Sequence, residues 1–167
     1  MKNVRKMVLA SLFASLCGIC SWICVPIPPV YITLQTLALL LTLGTLGGKW
    51  GSVSIGLYLL LGLVGLPVFA GFRGGAGALL DATGGFLWGF LLAGLVYWLL
   101  EQLGRLPAML GAMAVCYLCG CLWFQYYAGI DLGKAFLLCA APYLLPDGIK
   151  LWAAYRISSR LAKHISQ

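Results

Sequence analysis

The chain has 167 residues, of which 62% are hydrophobic and 9% are charged. A mean hydropathy of +0.99 excludes a soluble globular domain, in which about a quarter of the residues are charged. The net charge of +7 does not indicate nucleic acid, because the basic residues are scattered and form no patch with interleaved aromatic residues. The composition predicts an all-α polytopic membrane protein that forms a single domain over residues 1–167.

About 20 apolar residues are needed for a helix to cross the hydrocarbon core of a bilayer. Six segments separated by proline, glycine or charged residues come close to this length: 7–25, 32–48, 50–67, 84–101, 108–127 and 144–160. The apolar segments continue to the end of the sequence, so we interpret the first as a retained span rather than a signal peptide. A short surface helix is predicted near 132–141, ended by Pro142.

Six spans place both termini on one side of the membrane, and the basic residues indicate which side. Most of them fall on the side of the termini: Lys2, Arg5, Lys6, Lys49, Arg105, Arg156, Arg160 and Lys163. Only Arg73 and Lys134 fall in the opposite loops, and Lys150 lies within a span. The positive-inside rule therefore predicts cytoplasmic termini in a cell membrane, with the loops 26–31, 68–83 and 128–143 facing outward.

Pairs of small residues four positions apart allow helices to approach closely in lipid, where no hydrophobic force drives their association. Ala10 and Ala14 form such a pair on the first span, and either internal packing or docking to another subunit is consistent with it. Gly85 and Gly89 form a second pair, for which internal packing is favoured.

The first outward loop reads VPIPPVYITLQ and carries Thr33 and Gln35 directly after its prolines. A proline-stiffened loop of this kind is consistent with a lid over a pocket and equally with a tight turn. The sequence leaves these two interpretations open.

A glycine-rich outward stretch, GLPVFAGFRGGAGALLDATGGF, covers residues 65–86. A backbone rich in glycine can wrap closely around a small molecule, and Arg73 can pair with a carboxylate. The stretch also contains Phe69, Phe72 and Phe86, which a plain linker does not require. The alternative is a flexible external loop with an interfacial arginine.

Asp147 and Lys150 lie within the last predicted span, where an ionisable side chain costs at least a few kcal/mol. At positions i and i+3 they share one helix face, so they can form an ion pair that only fixes helix packing. Alternatively, the aspartate supplies acceptors and the lysine donors to a planar amide or urea ligand. We expect Pro146 to start the helix and Gly148 to leave space beside the pair.

Several sequence signals of enzymes are missing. Gly48-Lys49 lacks the first glycine and the final Ser or Thr of a phosphate-binding loop, and no zinc-protease motif or nucleophile elbow occurs. The seven cysteines lie in or beside apolar runs, so we interpret them as small packing residues rather than metal ligands. His164 is interpreted as a solvated tail residue. The sequence predicts no catalytic residue, no metal site and no bound cofactor.

Three stretches together resemble the BioY family of biotin-specific membrane subunits of energy-coupling-factor (ECF) transporters. They read VPIPPVYITLQTLALLL, GLPVFAGFRGGAGALLDATGGFLWGF and PYLLPDGIK, at residues 25–41, 65–90 and 142–150. The resemblance implies a six-helix S-component fold that binds biotin near the extracellular face. It implies release by toppling of the subunit on a membrane coupling protein, driven by two cytoplasmic ATPases that use the ATP. It also implies docking to the coupling protein through Ala10 and Ala14.

Carried over by position, the resemblance implies that Asp147 accepts a ureido N–H of biotin and that Lys150 donates to the ureido carbonyl. Arg73 and the backbone amides around Gly74 and Gly75 are then expected to bind the carboxylate. The remaining expected binding residues are Thr83, Gly84, Phe86 and Gln35. The chain departs from the family where it reads Asp81-Ala82-Thr83-Gly84-Gly85-Phe86 in place of Gly-Pro-Thr-Gly-Gly-Tyr, and Asp81 can repel a carboxylate unless it turns away.

Two alternatives stay open at this point. One is an S-component for another vitamin. The other is a membrane assembly protein in which Asp147 and Lys150 have a purely structural role. A homo-oligomer is also compatible with the sequence.

Overall fold

The computed structural model describes residues 2–27 and 30–165. The long helices are α1 (Lys2–Trp22), α2 (Gln35–Leu63), α4 (Gly84–Leu100), α5 (Arg105–Ala128) and α7 (Ala141–Ile165). Shorter elements are the strands β1 (Cys24–Ile27) and β2 (Val30–Thr33), the helices α3 (Ala76–Leu80) and α6 (Leu132–Cys139), and a 3-10 turn at Glu101–Leu103. The predicted all-α architecture is confirmed, apart from this one small hairpin.

Helix α2 contains a reversal at Gly47, whose φ of 77° and ψ of 172° are not helical. Glycine adopts this backbone conformation without a steric penalty. Two contacts show that the arms 35–46 and 48–63 run antiparallel. A Cβ built on Gly51 would lie 3.1 Å from Leu43 Cα, and Gln35 Nε2 donates to Tyr58 Oη at 2.7 Å. The predicted segments 32–48 and 50–67 therefore correspond to the two arms of one element.

Four helical stretches in the described chain are long and apolar enough to cross a membrane: Asn3–Trp22, Gln35–Leu63, Gly84–Leu103 and Arg105–Ala128. Helix α7 is long enough, but its polar residues, including Asp147, Lys150 and Arg156, lower its apolar character. The chain is a multi-pass membrane protein. The count of six spans stays a prediction.

The predicted first loop is an antiparallel hairpin in which Cys24 pairs with Thr33 and Ile27 with Val30. Its central prolines, at positions 28 and 29, lie outside the described residues. The predicted surface helix near 132–141 is confirmed as α6, which begins where Asp131 Oδ2 accepts a hydrogen bond from Gly133 N at 2.9 Å. A side-chain acceptor of this kind satisfies an otherwise unpaired N–H at a helix start.

Helices α4 and α5 pack closely because glycines face their partner. A Cβ added at Gly85 would lie 2.1 Å from Trp123 Cβ, and one at Gly89 would lie 3.1 Å from Cys116 Cα. The prediction that Gly85 and Gly89 pack internally is confirmed. Large side chains fill the interior elsewhere, among them the fully buried Tyr58, Phe69, Leu40, Leu43, Ile55 and Met109.

Candidate functional site

A pocket lies at the end of the molecule that holds β2, the start of α2 and the first turns of α4 and α7. Most of its wall is apolar or aromatic, contributed by Val30, Ile32, Phe69, Ala70, Ala78, Phe86, Leu87, Phe90 and Met113. Its charged side chains are concentrated in two places. We call these the inner cluster (Asp147, Lys150, Thr33, Thr36 and Tyr117) and the outer cluster (Arg73, Asp81, Thr83 and Tyr31). Asp81 does not line the pocket and belongs to the outer cluster through its pair with Arg73.

The inner cluster is built around a buried ion pair. Lys150 Nζ lies 2.6 Å from Asp147 Oδ1, and only 9% and 6% of the two residues is exposed. Lys150 Nζ also donates to the Thr33 carbonyl at 2.7 Å and lies 3.5 Å from Thr36 Oγ1. Because buried charges are costly without hydrogen-bond partners, these contacts are what makes the pair tolerable in an apolar interior.

Both oxygens of the Asp147 carboxylate accept hydrogen bonds from other elements. Thr36 Oγ1 donates to Oδ1 at 3.2 Å, and the Tyr117 hydroxyl donates to Oδ2 at 2.5 Å. The inner cluster therefore joins β2, α2, α5 and α7. The i, i+3 spacing on α7 brings the aspartate and lysine together, whereas the other partners come from segments at least 30 residues away in sequence.

The outer cluster is built around Arg73, whose guanidinium faces Asp81 and Thr83. Arg73 Nη1 pairs with Asp81 Oδ2, and Nη2 donates to Thr83 Oγ1 at 3.0 Å. Arg73 Nε donates to the Ala70 carbonyl at 3.1 Å, and Cζ lies 5.4 Å from the centre of the Tyr31 ring. About a third of each charged side chain is exposed, 31% for Arg73 and 37% for Asp81.

These two clusters give the pocket a defined chemistry. The inner cluster offers a buried carboxylate and ammonium side by side, which suits a ligand that has adjacent N–H and C=O groups. The outer cluster offers a guanidinium that can also hold a carboxylate. The wall between them is apolar. The pocket therefore suits a small molecule with a polar head, an apolar middle and an anionic end.

Comparison with known proteins agrees with the resemblance found in the sequence. The sequence profile of the BioY family matches residues 1–167.

The chain belongs to the BioY family.

Two of its BioY relatives come from different organisms and cover nearly the whole chain. The biotin transporter BioY of Thermotoga maritima is 36% identical over 96% of this chain and 97% of its own. The probable biotin transporter BioY of Pyrococcus horikoshii is 37% identical over 95% of this chain and 97% of its own. A solved structure, the S-component for biotin from an ECF-type ABC transporter, superposes with a TM-score of 0.89 at 27% identity, covering 96% of this chain and 92% of that one. The family comprises transporter subunits, and the chain is not an enzyme.

Among the predicted binding residues of this BioY chain, six line the pocket: Gln35, Arg73, Thr83, Phe86, Asp147 and Lys150. Gln35 is 5% exposed, and its side-chain amide donates to Tyr58. Phe72 is not part of the wall. It is 64% exposed and stacks on Trp22 with ring centres 5.2 Å apart.

Gly74, Gly75 and Gly84 do not line the pocket, so the structure does not place them where direct ligand contact was predicted. The Gly75 N–H donates to the Gly62 carbonyl at 2.7 Å. A Cβ added at Gly74 would lie 2.3 Å from the Leu66 carbonyl oxygen, and one at Gly84 would lie 2.1 Å from that of Leu79. Gly74 and Gly84 thus allow the backbone to pack against itself, whereas Gly75 adopts a φ of 84°, which favours glycine.

The expectations for Pro146 and Gly148 were wrong. Helix α7 begins at Ala141, so Pro146 lies inside it rather than at its start. Gly148 is exposed, and an added Cβ would meet nothing within 4 Å. Because neighbouring residues of a helix point about 100° apart, Gly148 faces away from the pocket that Asp147 enters.

Within this chain, Ala10 and Ala14 have an internal packing role. Only 2% of Ala10 and 1% of Ala14 is exposed, and Ser54 Oγ of α2 donates to the Ala10 carbonyl at 2.7 Å. The pair is used for close packing of α1 against α2, which was the other interpretation of this spacing. Docking of a partner subunit through this pair stays a prediction.

Sequence analysis missed Tyr117, Thr36, Tyr31 and Tyr143 as pocket residues. Helices α5 and α6 also contribute Cys116 and Cys139 to the wall. Burial raises the pKa of the Cys139 thiol to about 12, so this thiol stays protonated and behaves as an apolar group. No group of three or more metal-ligating side chains occurs in residues 2–27 and 30–165.

Proposed function

We propose that this chain is the membrane-embedded biotin-binding subunit of an ATP-driven vitamin importer of the ECF type. The observation that carries the proposal is the buried pair of Asp147 and Lys150 at the pocket, in a member of a family whose named relatives are biotin transporters. A pair serving only as a packing device has no need of a pocket beside it.

In the proposed complex, the ureido ring of biotin lies at the inner cluster. The carboxylate of Asp147 accepts a ureido N–H, and the ammonium of Lys150 donates to the ureido carbonyl. The apolar wall, including Phe86, surrounds the thioether ring and the aliphatic chain. Arg73 binds the ligand carboxylate, with Thr83 beside it. No cofactor takes part.

The proposed topology has six spans and cytoplasmic termini, so the pocket faces outward. Two hydrogen bonds support the placement of several basic residues at the same end of the molecule. Glu101 Oε2 accepts from Gly48 N at 2.7 Å, and Arg105 Nη1 donates to Ser159 Oγ at 2.9 Å. The reversal of α2, the turn between α4 and α5 and the last part of α7 therefore lie together. In α2, α4 and α7 they are toward the opposite ends of the helical segments from the pocket residues, and their basic side chains favour the cytoplasm.

The proposed partners are a membrane coupling protein and two cytoplasmic ATPases, which supply the energy for inward release. The similar solved structure is an S-component of an ECF-type transporter, which supports this division of labour. The chain itself has no phosphate-binding loop. Co-purification of the tagged chain with its membrane partners, with and without biotin, tests the assembly and any homo-oligomer directly.

The decisive experiment is equilibrium binding of biotin to the purified protein, with Asp147→Asn and Lys150→Ala as variants and other vitamins as competitors. We expect tight binding by the wild type and a loss of at least about 100-fold in each variant, since each leaves a charged or polar partner unpaired. Binding of another vitamin but not biotin would identify a different S-component. Intact binding in both variants would refute the residue assignment, and absence of any binding would favour an assembly protein.

A further inference from the structure

Tyr117 is a residue of the inner cluster whose role the biotin contacts proposed above leave open. It lies in the middle of α5 and is half-buried. Its hydroxyl lies 2.5 Å from Asp147 Oδ2. An ionised carboxylate can only accept hydrogen bonds, so the phenol is the donor in this contact.

The hydrogen-bond acceptor sites of the Asp147 carboxylate can be counted. A carboxylate has about four acceptor sites, two on each oxygen. Oδ1 receives Lys150 Nζ at 2.6 Å and Thr36 Oγ1 at 3.2 Å, which fills it. Among the residues that the structure describes, Tyr117 alone donates to Oδ2, so one acceptor site remains there.

The same count can be made for Lys150, which has three N–H donors. Two of them are directed to the Thr33 carbonyl at 2.7 Å and to Asp147 Oδ1 at 2.6 Å. The third faces Thr36 Oγ1 at 3.5 Å, which is too long for a good hydrogen bond. The inner cluster therefore presents one open acceptor and one open donor.

The ring of Tyr117 is itself held in place. It packs edge-to-face against Phe86, with ring centres 6.3 Å apart and an interplanar angle of 85°. Phe86 in turn lies over Gly120, where an added Cβ would come within 2.4 Å of the ring. Gly120 and Phe86 thus fix the position from which the hydroxyl reaches Asp147.

We propose that Tyr117 is a positioning residue for ligand recognition, which directs Asp147 Oδ2 so that its single open site receives one ureido N–H. This inference rests on the proposed biotin binding. Without the phenol, Oδ2 has two open sites and the carboxylate loses one of its three protein partners. It then binds the ureido group in a less defined geometry.

The test uses purified full-length protein and compares wild type, Tyr117→Phe and the control Tyr126→Phe. Tyr126 lies on the same helix but is 86% exposed, so its substitution removes a hydroxyl away from the pocket. The ligands are biotin, biotin methyl ester and the two biotins methylated singly at one or the other ureido nitrogen. Dissociation constants and thermal unfolding midpoints are measured for each variant.

We expect Tyr117→Phe to weaken biotin binding by about 10- to 100-fold, the range for a hydrogen bond to a charged group. The methyl ester should show the same factor, because its change is at the other end of the ligand. Wild type should bind one methylated biotin poorly, the one that blocks the N–H directed at Asp147. For that analogue, Tyr117→Phe should change affinity by less than about threefold.

Several results would overturn the inference. One is a change below about twofold for biotin when wild type binds it well, and another is an equal loss for every ligand. A failure of the wild type to bind biotin would remove the proposed function and this inference with it. If Tyr117→Phe does not fold, Phe86→Leu keeps the hydroxyl but removes its support. Because Phe86 also lines the pocket, that variant loses apolar contact with every ligand. The readout is therefore the additional loss for biotin and its methyl ester over the N-methylated analogue, and equal losses for all ligands would contradict the proposal.

Discussion

The inner and outer clusters each contain one acid and one base, but they are built in different ways. The inner pair is buried, and its hydrogen-bond partners come from β2, α2 and α5. The outer pair is about one-third exposed. Apart from Trp123 at the Asp81 carbonyl, the groups that hydrogen-bond to it lie in its own segment, from Phe69 to Gly84. The inner cluster therefore depends on the whole fold, whereas the outer one is largely a property of its own segment.

The largest effect should come from breaking the inner pair on one side only. Lys150→Ala leaves the Asp147 carboxylate buried without its countercharge, a change that costs about 3–5 kcal/mol in buried pairs. The double variant Asp147→Asn/Lys150→Met removes both charges and should unfold at a higher temperature than the single variant. Thermal unfolding followed by tryptophan fluorescence measures both, and a double variant less stable than Lys150→Ala would contradict this account.

The next largest effect on stability should come from displacing Phe69, which supports the outer cluster through its hydrogen bond to Arg73. A Cβ at Gly62 would lie 2.0 Å from the ring of Phe69, which is 1% exposed and hydrogen-bonds through its N–H to the Arg73 carbonyl at 2.9 Å. Gly62→Ala should cost about 1–3 kcal/mol of stability by overpacking and disturb Arg73.

Gly56→Ala, on the same arm of α2, is the matched control for this substitution. An added Cβ there meets nothing within 4 Å, and alanine favours helix over glycine by about 0.5–1 kcal/mol. The two variants should therefore shift the unfolding midpoint in opposite directions. Equal shifts of the two midpoints would show that the Phe69 ring can move aside at no cost in stability, which would contradict the overpacking prediction.

A matched pair of Thr→Val substitutions compares the two clusters with the same chemical change. Thr36→Val removes the donor to the buried Asp147 Oδ1, and we expect biotin affinity to fall about 10-fold. Thr83→Val removes an acceptor from the partly exposed Arg73, and water can replace it, so a change of about twofold is expected. Isothermal titration calorimetry with biotin measures the affinity lost in each variant. A larger loss for Thr83→Val than for Thr36→Val would contradict the proposed difference between the clusters.

The smallest effect is expected at Asp81, which competes with a ligand carboxylate for Arg73. Since the pair is partly exposed, Asp81→Asn should change stability by less than about 1 kcal/mol. It should strengthen biotin binding a few-fold and leave biotin methyl ester unaffected. The ratio of the two dissociation constants is the readout, and an equal change for both ligands would exclude Arg73 as the carboxylate partner.

The inner cluster shows how far sequence reasoning reaches. Asp147 and Lys150 were predictable, because two charges at i and i+3 stand out in an apolar segment. Tyr117 was not, since it is one of eight tyrosines and its partner lies 30 positions away. In the outer segment, Arg73 was predictable as a rare outward charge. The ligand contacts predicted for Gly74 and Gly75 stay a prediction, although neither residue lines the pocket.

The sequence by itself determined the membrane class, the all-α architecture and the pairing of Asp147 with Lys150. Hydropathy, helix periodicity and a rare charge are properties of consecutive residues. The tertiary structure decided which faces are buried, as at Ala14, which are exposed, as at Gly148, and which distant side chains complete each cluster. Those outcomes depend on which helices pack together. That packing alone brings a tyrosine on α5 and a threonine on α2 within hydrogen-bond distance of one carboxylate on α7.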